Sequence, residues 1–456
     1  MNNKFLFSVV IAIFNTEKYL TDAIESILNQ TFGFDKIQLI LVDDGSTDKS
    51  EKICKKYQKK YPNNIKYIYK ENGGQSTARN LGIKFAEGKY VNFMDSDDKF
   101  ELNAFQEVYN FFEKYGEEID VVSTPRYYFG AKEGSLSLNY RFSETRVIDI
   151  FKEFNCPQLS ISCTFIRRNA LDIEFDSRLI ISEDATLINK IILKKSKYGV
   201  VNTTKYLYRR REEETSTINT KKLNKDYFTT RLYFYNKSLI DYSIEKFGNV
   251  PKYVQFALMF DLQWMYEENT IRNVLDNVEF LQYESLLFNI LQYIDDDIIL
   301  AQKYLNKYLK YHILKFKHNY TNFQLIQKND DLLLKCNENI LDNIKSNEIN
   351  LIDYYIKDNI LCVKGEFNSC FEEVKILAYN KDNELRIYET ECEQEFSLGN
   401  QVSNNHCFII EVPLTSKTNK ISLYIEINSN KYSVNLNNIN TNLNIENNTI
   451  NYEVKI

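Results

Sequence analysis

Three carboxylates crowd into Asp95-Ser96-Asp97-Asp98, directly behind the apolar stretch Tyr90-Val91-Asn92-Phe93-Met94. Like charges at the C-terminal end of a buried strand repel one another, so the run makes sense chiefly where a divalent cation and an anionic ligand meet. Residues two apart on an extended segment point the same way, so Asp95 and Asp97 can face one pocket while Ser96 turns aside. Asp97 is the preferred metal ligand, and hard oxygen donors suit Mn2+ or Mg2+. The chemistry this implies is metal-assisted handling of a phosphorylated substrate. Alone, an Asp-x-Asp reads equally well as two solvated acids on a loop, so the surrounding elements must decide.

Those elements alternate. Ser8 to Phe14 is a continuous apolar run with β-branched residues, and behind it Leu20, Ala23, Ile24, Ile27 and Leu28 recur at helical spacing. The pattern repeats with Ile37 to Val42 before a helix starting near Thr47, and with Ile65 to Tyr69 before one starting near Ser76. A fourth strand, Tyr90 to Met94, precedes a helix carrying Phe105, Val108 and Phe112. Such alternation predicts an α/β domain, a mostly parallel sheet with helices on both faces, in which ligands gather at the carboxyl ends of the strands.

The polar clusters fall at those ends. Asn15-Thr16 follows the first strand, Asp43-Asp44-Gly45-Ser46 the second, Glu71-Asn72-Gly73-Gly74 the third and the acidic run the fourth. Taken singly, Asp-Asp-Gly-Ser is a turn with a helix cap and Gly-Gly a tight turn. Their joint placement favours one functional rim.

The order of Val10-Ile11-Ala12-Ile13-Phe14-Asn15, Asp43-Asp44-Gly45-Ser46-Thr47-Asp48, Asn72-Gly73-Gly74-Gln75-Ser76-Thr77-Ala78-Arg79-Asn80 and Met94-Asp95-Ser96-Asp97-Asp98 resembles the nucleotide-sugar glycosyltransferases of family 2, which have the GT-A fold. The resemblance covers roughly the first half of the chain. It implies that the first rim loops hold the nucleoside, with Asp43 or Asp44 and Asn72 at base and ribose, Ala12 and Asn15 beside them, Asp95 and Ser96 in the donor pocket, and Arg79 near the diphosphate. A bound cation would neutralise the departing diphosphate. The resemblance also implies a Glu-Asp pair opening a helix, with the aspartate as base. Glu183-Asp184 fits it, following Leu179-Ile180-Ile181 and preceding a helical-looking Ala185 to Leu193, and Asp184 is the candidate base. The same pair would also stabilise a helix start, which is compatible. One base and no protein nucleophile implies inversion at the anomeric carbon.

Tyr208-Arg209-Arg210-Arg211, followed by Glu212 to Thr217, resembles the segment that closes over donor phosphates or acceptor in this family. Arg209 and Arg211 could each offer phosphate a two-pronged hydrogen bond. Equally, the arginines could offset Glu212, Glu213 and Glu214 on a surface loop.

The chain has 456 residues, 43% of them hydrophobic, enough for two or three domains. A net charge of -6 makes nucleic acid a poor partner. The eight cysteines show no Cys-x-x-Cys spacing and there are three histidines, which argues against zinc and for reduced structural thiols in a cytoplasmic protein. The apolar runs near the start are too short to span a bilayer. Beyond residues 1–220, read as the GT-A domain, residues 221–345 read as helical, with Phe256, Met259, Phe260, Leu262 and Met265 at helical intervals. Lys303 to His318 pairs a lysine face with an apolar stripe. It would either rest peripherally on an anionic membrane or acceptor, or pack its stripe inside the protein. Residues 346–456 carry short β-rich runs such as Phe408 to Val412, predicting a small β-sandwich for acceptor binding or self-association into a homo-oligomer. The expected activity is transfer of a sugar from a UDP-sugar to a cell-surface glycan or polyol-phosphate polymer of the teichoic-acid kind. Two alternatives stand beside it, a nucleotidyltransferase and a noncatalytic glycan-binding or assembly protein.

Overall fold

The computed structural model describes residues 4–211, 223–266, 270–319, 321–381, 383–394, 396–398, 400–414, 418–441 and 443–453. The chain divides into two compact units, Met1–Asp261 with Val274–Asp295, and Leu262–Asn273 with Asp296–Ile456.

In the first unit, β1 (Phe7–Ile13), β2 (Ile37–Asp44), β3 (Ile65–Lys70) and β4 (Tyr90–Asp95) pair in parallel in the order β3-β2-β1-β4. Every residue of β2 is buried, as a strand covered on both faces requires. The connections run through α1 (Leu20–Leu28), α2 (Ser50–Lys60) and α3 (Gln75–Ile83), and α4 (Ala104–Tyr115) follows β4. The sheet extends past β4 with β6 (Val121–Ser123), β9 (Arg146–Asp149), β10 (Thr164–Arg167) and β11 (Lys197–Val200). Its full order is β3-β2-β1-β4-β10-β6-β11-β9. Because β10 runs antiparallel to both β4 and β6, the sheet is mixed. A second sheet joins β5 (Lys99–Phe100), β7 (Arg126–Gly130), β8 (Gly134–Ser135) and β12 (Tyr206–Arg210) in the order β5-β12-β7-β8. The helix α5 (Glu183–Lys195) leads into β11, while α6 (Lys225–Thr230), a π-helical stretch Arg231–Lys237 and α7 (Ser238–Phe247) follow β12.

Aromatic rings fill the core under β1, with Phe7 packed against Phe105 at 5.0 Å and Phe165 at 5.7 Å between centroids. On β1, Val10 takes α3 at very short range: a Cβ on Gly82 would stand 2.3 Å from Val10 Cγ1. That approach sets the height of α3 over the sheet and so the position of Arg79, one turn earlier.

The second unit is built mainly of strands. Phe323–Lys328, Asp331–Cys336 and Asn339–Asn343 form a three-stranded sheet. These strands lie inside the stretch read from sequence as helical, and the reason is local: Leu332, Leu334 and Cys336 alternate as buried residues with the period of a strand. A five-stranded and a six-stranded sheet follow. Their inner faces share one core, with Leu361, Val363, Phe408 and Ile410 from the first and Leu423, Ile425 and Ile450 from the second. Cys392 and Cys407 form a disulfide, which corrects the expectation that all the thiols are reduced. Thr390 pairs with Cys407 across two antiparallel strands, so the chain delivers Cys392 to its partner two residues later. The helix Lys307–Lys317 buries Leu309, Ile313 and Leu314, Lys317 pairs with Asp296 at 2.6 Å, and Lys315 pairs with Glu372. Its apolar stripe is thus covered from within the unit. Among the described residues no helix is long and apolar enough to cross a membrane.

Gly82→Ala should lower stability by about 1–3 kcal/mol, because the added methyl must displace a β-branched core side chain. Thermal unfolding measures the loss, and adding Val10→Ala should recover part of it. A Gly82→Ala midpoint equal to that of the parent protein would contradict the packing described.

Candidate active site

Strand register assembles the rim. Ala12 on β1 stands opposite Val42 of β2 on one side and Asp95 of β4 on the other, and the next residue, Ile13, stands opposite Asp43. Asp43 and Asp95 are therefore separated by about two strand spacings, roughly 10 Å.

The loops are tied together by their own side chains. Asn15, at φ 52°, accepts from Thr47 N at 2.8 Å, and its own N–H donates to Ser46 Oγ at 3.1 Å. Asp43 accepts from Ser46 N at 2.8 Å and from the Tyr67 hydroxyl at 3.0 Å. Asp44 accepts from Gly73 N at 3.0 Å, Gly74 N at 2.8 Å and the Lys70 ammonium, while Asn72 Nδ2 donates to the Asp44 carbonyl at 2.9 Å. The turn at Gly74, φ 88°, is one that suits glycine, and it aims its N–H at Asp44. Both aspartates are buried and shape the rim from beneath, a role the expected nucleoside contacts did not include.

Arg79 is the hub. Its side chain is 3% exposed, and its guanidinium reaches Asp95 at 3.0 Å, Glu183 at 3.2 Å and Asp184 at 2.6 Å. Burial works against its charge, yet the three carboxylates, Asp184 foremost, raise it further above the ordinary arginine value. The structure thus puts Arg79 against three carboxylates, one of them Asp95, which the resemblance assigns to the donor pocket. Phe175 lies 5.3 Å from the guanidinium, and Asn80 bonds both the N–H and the carbonyl of Phe175. Asp184 also accepts from Ile161 N at 3.2 Å and keeps 22% of its side chain exposed, so a second reactant can reach it. Before it, Ser182 takes the left-handed conformation at φ 69° and donates to Asp261 Oδ1, turning the chain into α5.

The acidic run divides its labour. Asp95 accepts from Arg79 and from Gln75 Nε2 at 3.0 Å; burial, then the charges of Asp184 and Asp97, push its carboxyl up to about 6 despite Arg79. Ser96 is buried. Asp97 accepts from Arg211 at 2.6 Å, and its carbonyl takes the Arg209 Nε at 2.7 Å. Asp98 is buried, accepting from the Tyr206 hydroxyl at 2.7 Å and from Arg209 N at 2.8 Å; burial first, then Asp95 and Asp97, raise it well above the usual carboxylate range. Arg209 also pairs with Asp22 at 3.0 Å, and both Arg209 and Arg211 lie over the Tyr19 ring at 4.8 and 5.1 Å. Glu212 to Thr217 lie outside the described residues, so the offsetting partners read there are not part of this picture. Asp95 and Asp97 offer hard oxygens of the kind a divalent cation takes, although they are bonded to Arg79 and Arg211, while Asp98 is turned to the Tyr206 hydroxyl and the Arg209 N–H. Among the described residues, the three possible ligands that stand close enough to share one ion are Asp296, His318 and Cys336 in the second unit, where Asp296 is also paired with Lys317 at 2.6 Å.

Sequence reasoning did not find Tyr206, Lys70, Gln75, Tyr19 or Asp22. Lys70 had a signal, standing at the end of β3 just before the glycine loop; Tyr206 had none, being 108 residues from Asp98 on a strand of the other sheet.

Two outcomes follow. Replacing Arg79 by Met leaves three carboxylates facing one another and should destabilise by about 3–5 kcal/mol in urea unfolding, with Arg79→Lys recovering only part because it lacks the fork. Asp95 binds its proton more tightly folded, at about 6, than unfolded, at about 4, so its contribution to stability is present below pH 4 and lost as pH rises through 6. Asp95→Asn should flatten unfolding free energy across that window; an unchanged profile would contradict the assignment.

Residues 8–173 match the sequence profile of the glycosyl transferase family 2. The chain is 38% identical over 416 residues to the minor teichoic acid biosynthesis protein GgaB of Bacillus subtilis, covering 89% of this chain and 46% of that protein, so it spans about half the length of that curated relative. It is 37% identical over 340 residues to GgaA of the same organism, covering 73% of this chain and 76% of GgaA. In fold it is similar to the crystal structure of S. aureus TarS, with TM-score 0.55, 16% identity, and coverage of 99% of this chain and 86% of that one. TarS 1–349 in complex with UDP-GlcNAc superimposes with TM-score 0.55 at 20% identity over 73% of this chain and 97% of that one. With residues 8–173 matching the family profile and more than a third of the sequence shared with a relative covered over three quarters of its length, the chain belongs to glycosyl transferase family 2.

Proposed function

We propose that this chain transfers a sugar from a UDP-sugar to a polyol-phosphate or glycan polymer of the teichoic-acid kind, with inversion and with Mn2+ or Mg2+ as cofactor. The observation that carries it is the convergence of Asp95, Glu183 and Asp184 on Arg79, which joins the end of β4 to the start of α5. UDP as the donor's nucleotide is supported by the likeness in fold to TarS 1–349 bound to UDP-GlcNAc. The acceptor class is supported by GgaA and GgaB, both minor teichoic acid biosynthesis proteins, and by TarS, a poly(ribitol-phosphate) beta-N-acetylglucosaminyltransferase.

Asp97 with Asp95 would hold the cation, which when bound supplies charge neutralisation at the departing diphosphate. Arg209 and Arg211 carry fork donors to phosphate oxygens from the opposite wall, braced on Tyr19. Arg79 orients the Asp184 carboxylate, whose exposed edge takes the proton of the acceptor hydroxyl as that oxygen attacks the anomeric carbon. Ala12, Asn15, Asp43, Asp44, Asn72 and Ser96 frame the donor pocket through the loops they tie.

A donor screen with Mn2+ and a polyol-phosphate acceptor tests the reading. Free UDP is the expected product, pyrophosphate exchange would instead favour a nucleotidyltransferase, and no turnover with a full donor panel would favour binding alone. Asp184→Asn should lower kcat by about 10²–10⁴ while leaving UDP affinity nearly unchanged, and EDTA should abolish turnover until Mn2+ is restored. Full activity in Asp184→Asn would remove the base from the scheme.

A further inference from the structure

A cleft of about 360 Å³ opens in the first unit away from the carboxylate site, lined by Arg178, Lys190, Tyr233, Phe234, Lys237 and Tyr242 among others. Its cations are unequally answered. Arg178 lies 3.8 Å over the Phe234 ring and pairs with Asp176 at 2.6 Å, and Lys237 pairs with Asp241 at 2.5 Å. Lys190 is half-buried; its ammonium donates to Ser238 Oγ at 2.8 Å and stands 5.9 Å from the centre of the Tyr242 ring, and among the described residues no carboxylate stands within ion-pair distance of it. Burial, reinforced by Arg178 and only partly relieved by Asp176, holds that ammonium below the ordinary lysine range. A cation taken out of water without a counter-charge is costly, and an anion entering the cleft would remove the cost. Beside it Tyr233 is 54% exposed and packs edge-on against Phe234 at 5.1 Å, and Glu245 and Asp241, the latter paired with Lys237, carry oxygens that can accept from hydroxyl groups. Cation, ring and hydroxyl acceptors together suit a unit that carries both phosphate and polyol or sugar.

The cleft is linked to the candidate active site by continuous structure. α5 carries Asp184 in its first turn and Lys190 six residues later, a rise of about 9 Å. The segment leading to α5 contacts Arg79 through Phe175 and lines the cleft through Arg178.

We propose that this cleft binds an internal phosphodiester of the acceptor polymer, with Lys190 Nζ as its anion partner and Tyr233 as the platform for the adjoining polyol or sugar. The proposal rests on the acceptor class given above. A donor-side substrate needs no such cleft, whereas a repeating polyanion gains register and grip from a second contact beyond the reacting end.

The test is direct binding, which requires no turnover. The full-length chain is titrated with a defined poly(glycerol phosphate) oligomer, and the complex should weaken as salt rises. Lys190→Ala should raise Kd about tenfold, Lys190→Arg should keep most of the affinity, and Tyr233→Ala, an exposed change that spares the core, should weaken binding several-fold. UDP affinity, measured in parallel, should be the same in all variants, which separates loss of the cleft from loss of fold. Failure of the parent chain to bind the oligomer, or Lys190→Ala and Tyr233→Ala both binding within about twofold of it, would overturn the proposal. Lys190-dependent binding to phosphatidylglycerol vesicles in place of the oligomer would overturn it too, in favour of a membrane headgroup. Oligomer binding without UDP release from any donor would instead count against the transferase reading alone.

Discussion

A single buried guanidinium holds this site together. Asp95 comes from the end of a parallel strand, and Glu183 and Asp184 from the first turn of a helix about ninety residues away in sequence; all three touch Arg79. Carboxylates gathered around one point repel one another, and a cation among them offsets that repulsion. Arg79 supplies that charge permanently, and its planar fork reaches strand and helix at once. Because α3 is pinned to β1 by the close approach of Gly82 to Val10, the arginine is delivered at a fixed height above the sheet.

The opposite wall is built by a different device. Asp98, pushed toward its neutral form by burial and by its acidic neighbours, is tied to Tyr206 and to the backbone of Arg209. These bonds join the acidic turn to β12, and β12 aims Arg209 and Arg211 back across the turn. The acidic run thus has three jobs: Asp95 meets the hub, Asp97 faces the arginines, and Asp98 anchors the second sheet. An acidic turn with one carboxylate held by Arg79 and another by Arg211 is fixed in shape by the fold itself. The second unit stands by its own two-sheet core and a disulfide, and its basic helix is satisfied by acidic partners in that unit.

The sequence by itself determined the α/β alternation, the four rim loops and the identity of the residues at them. Apolar runs with period two or continuous burial, followed by runs with period 3.6, are local signals, and the turn residues between them are local too. It determined Glu183-Asp184 as a helix start for the same reason. The partnerships were not legible. Arg79 against Asp95 and Asp184, Asp98 against Tyr206, Asp44 against the glycine loop and Lys190 against Ser238 are facts about side chains 16 to 108 residues apart, and no periodicity encodes them. The same limit explains the strands at Phe323–Asn343 read as helix, and the cysteines read as free. Short apolar runs are ambiguous between the two periods, and a disulfide requires two backbones to meet. Only the tertiary structure decided which charges face each other, because burial and distance, which set the strength of every electrostatic contact, exist only once the chain has folded.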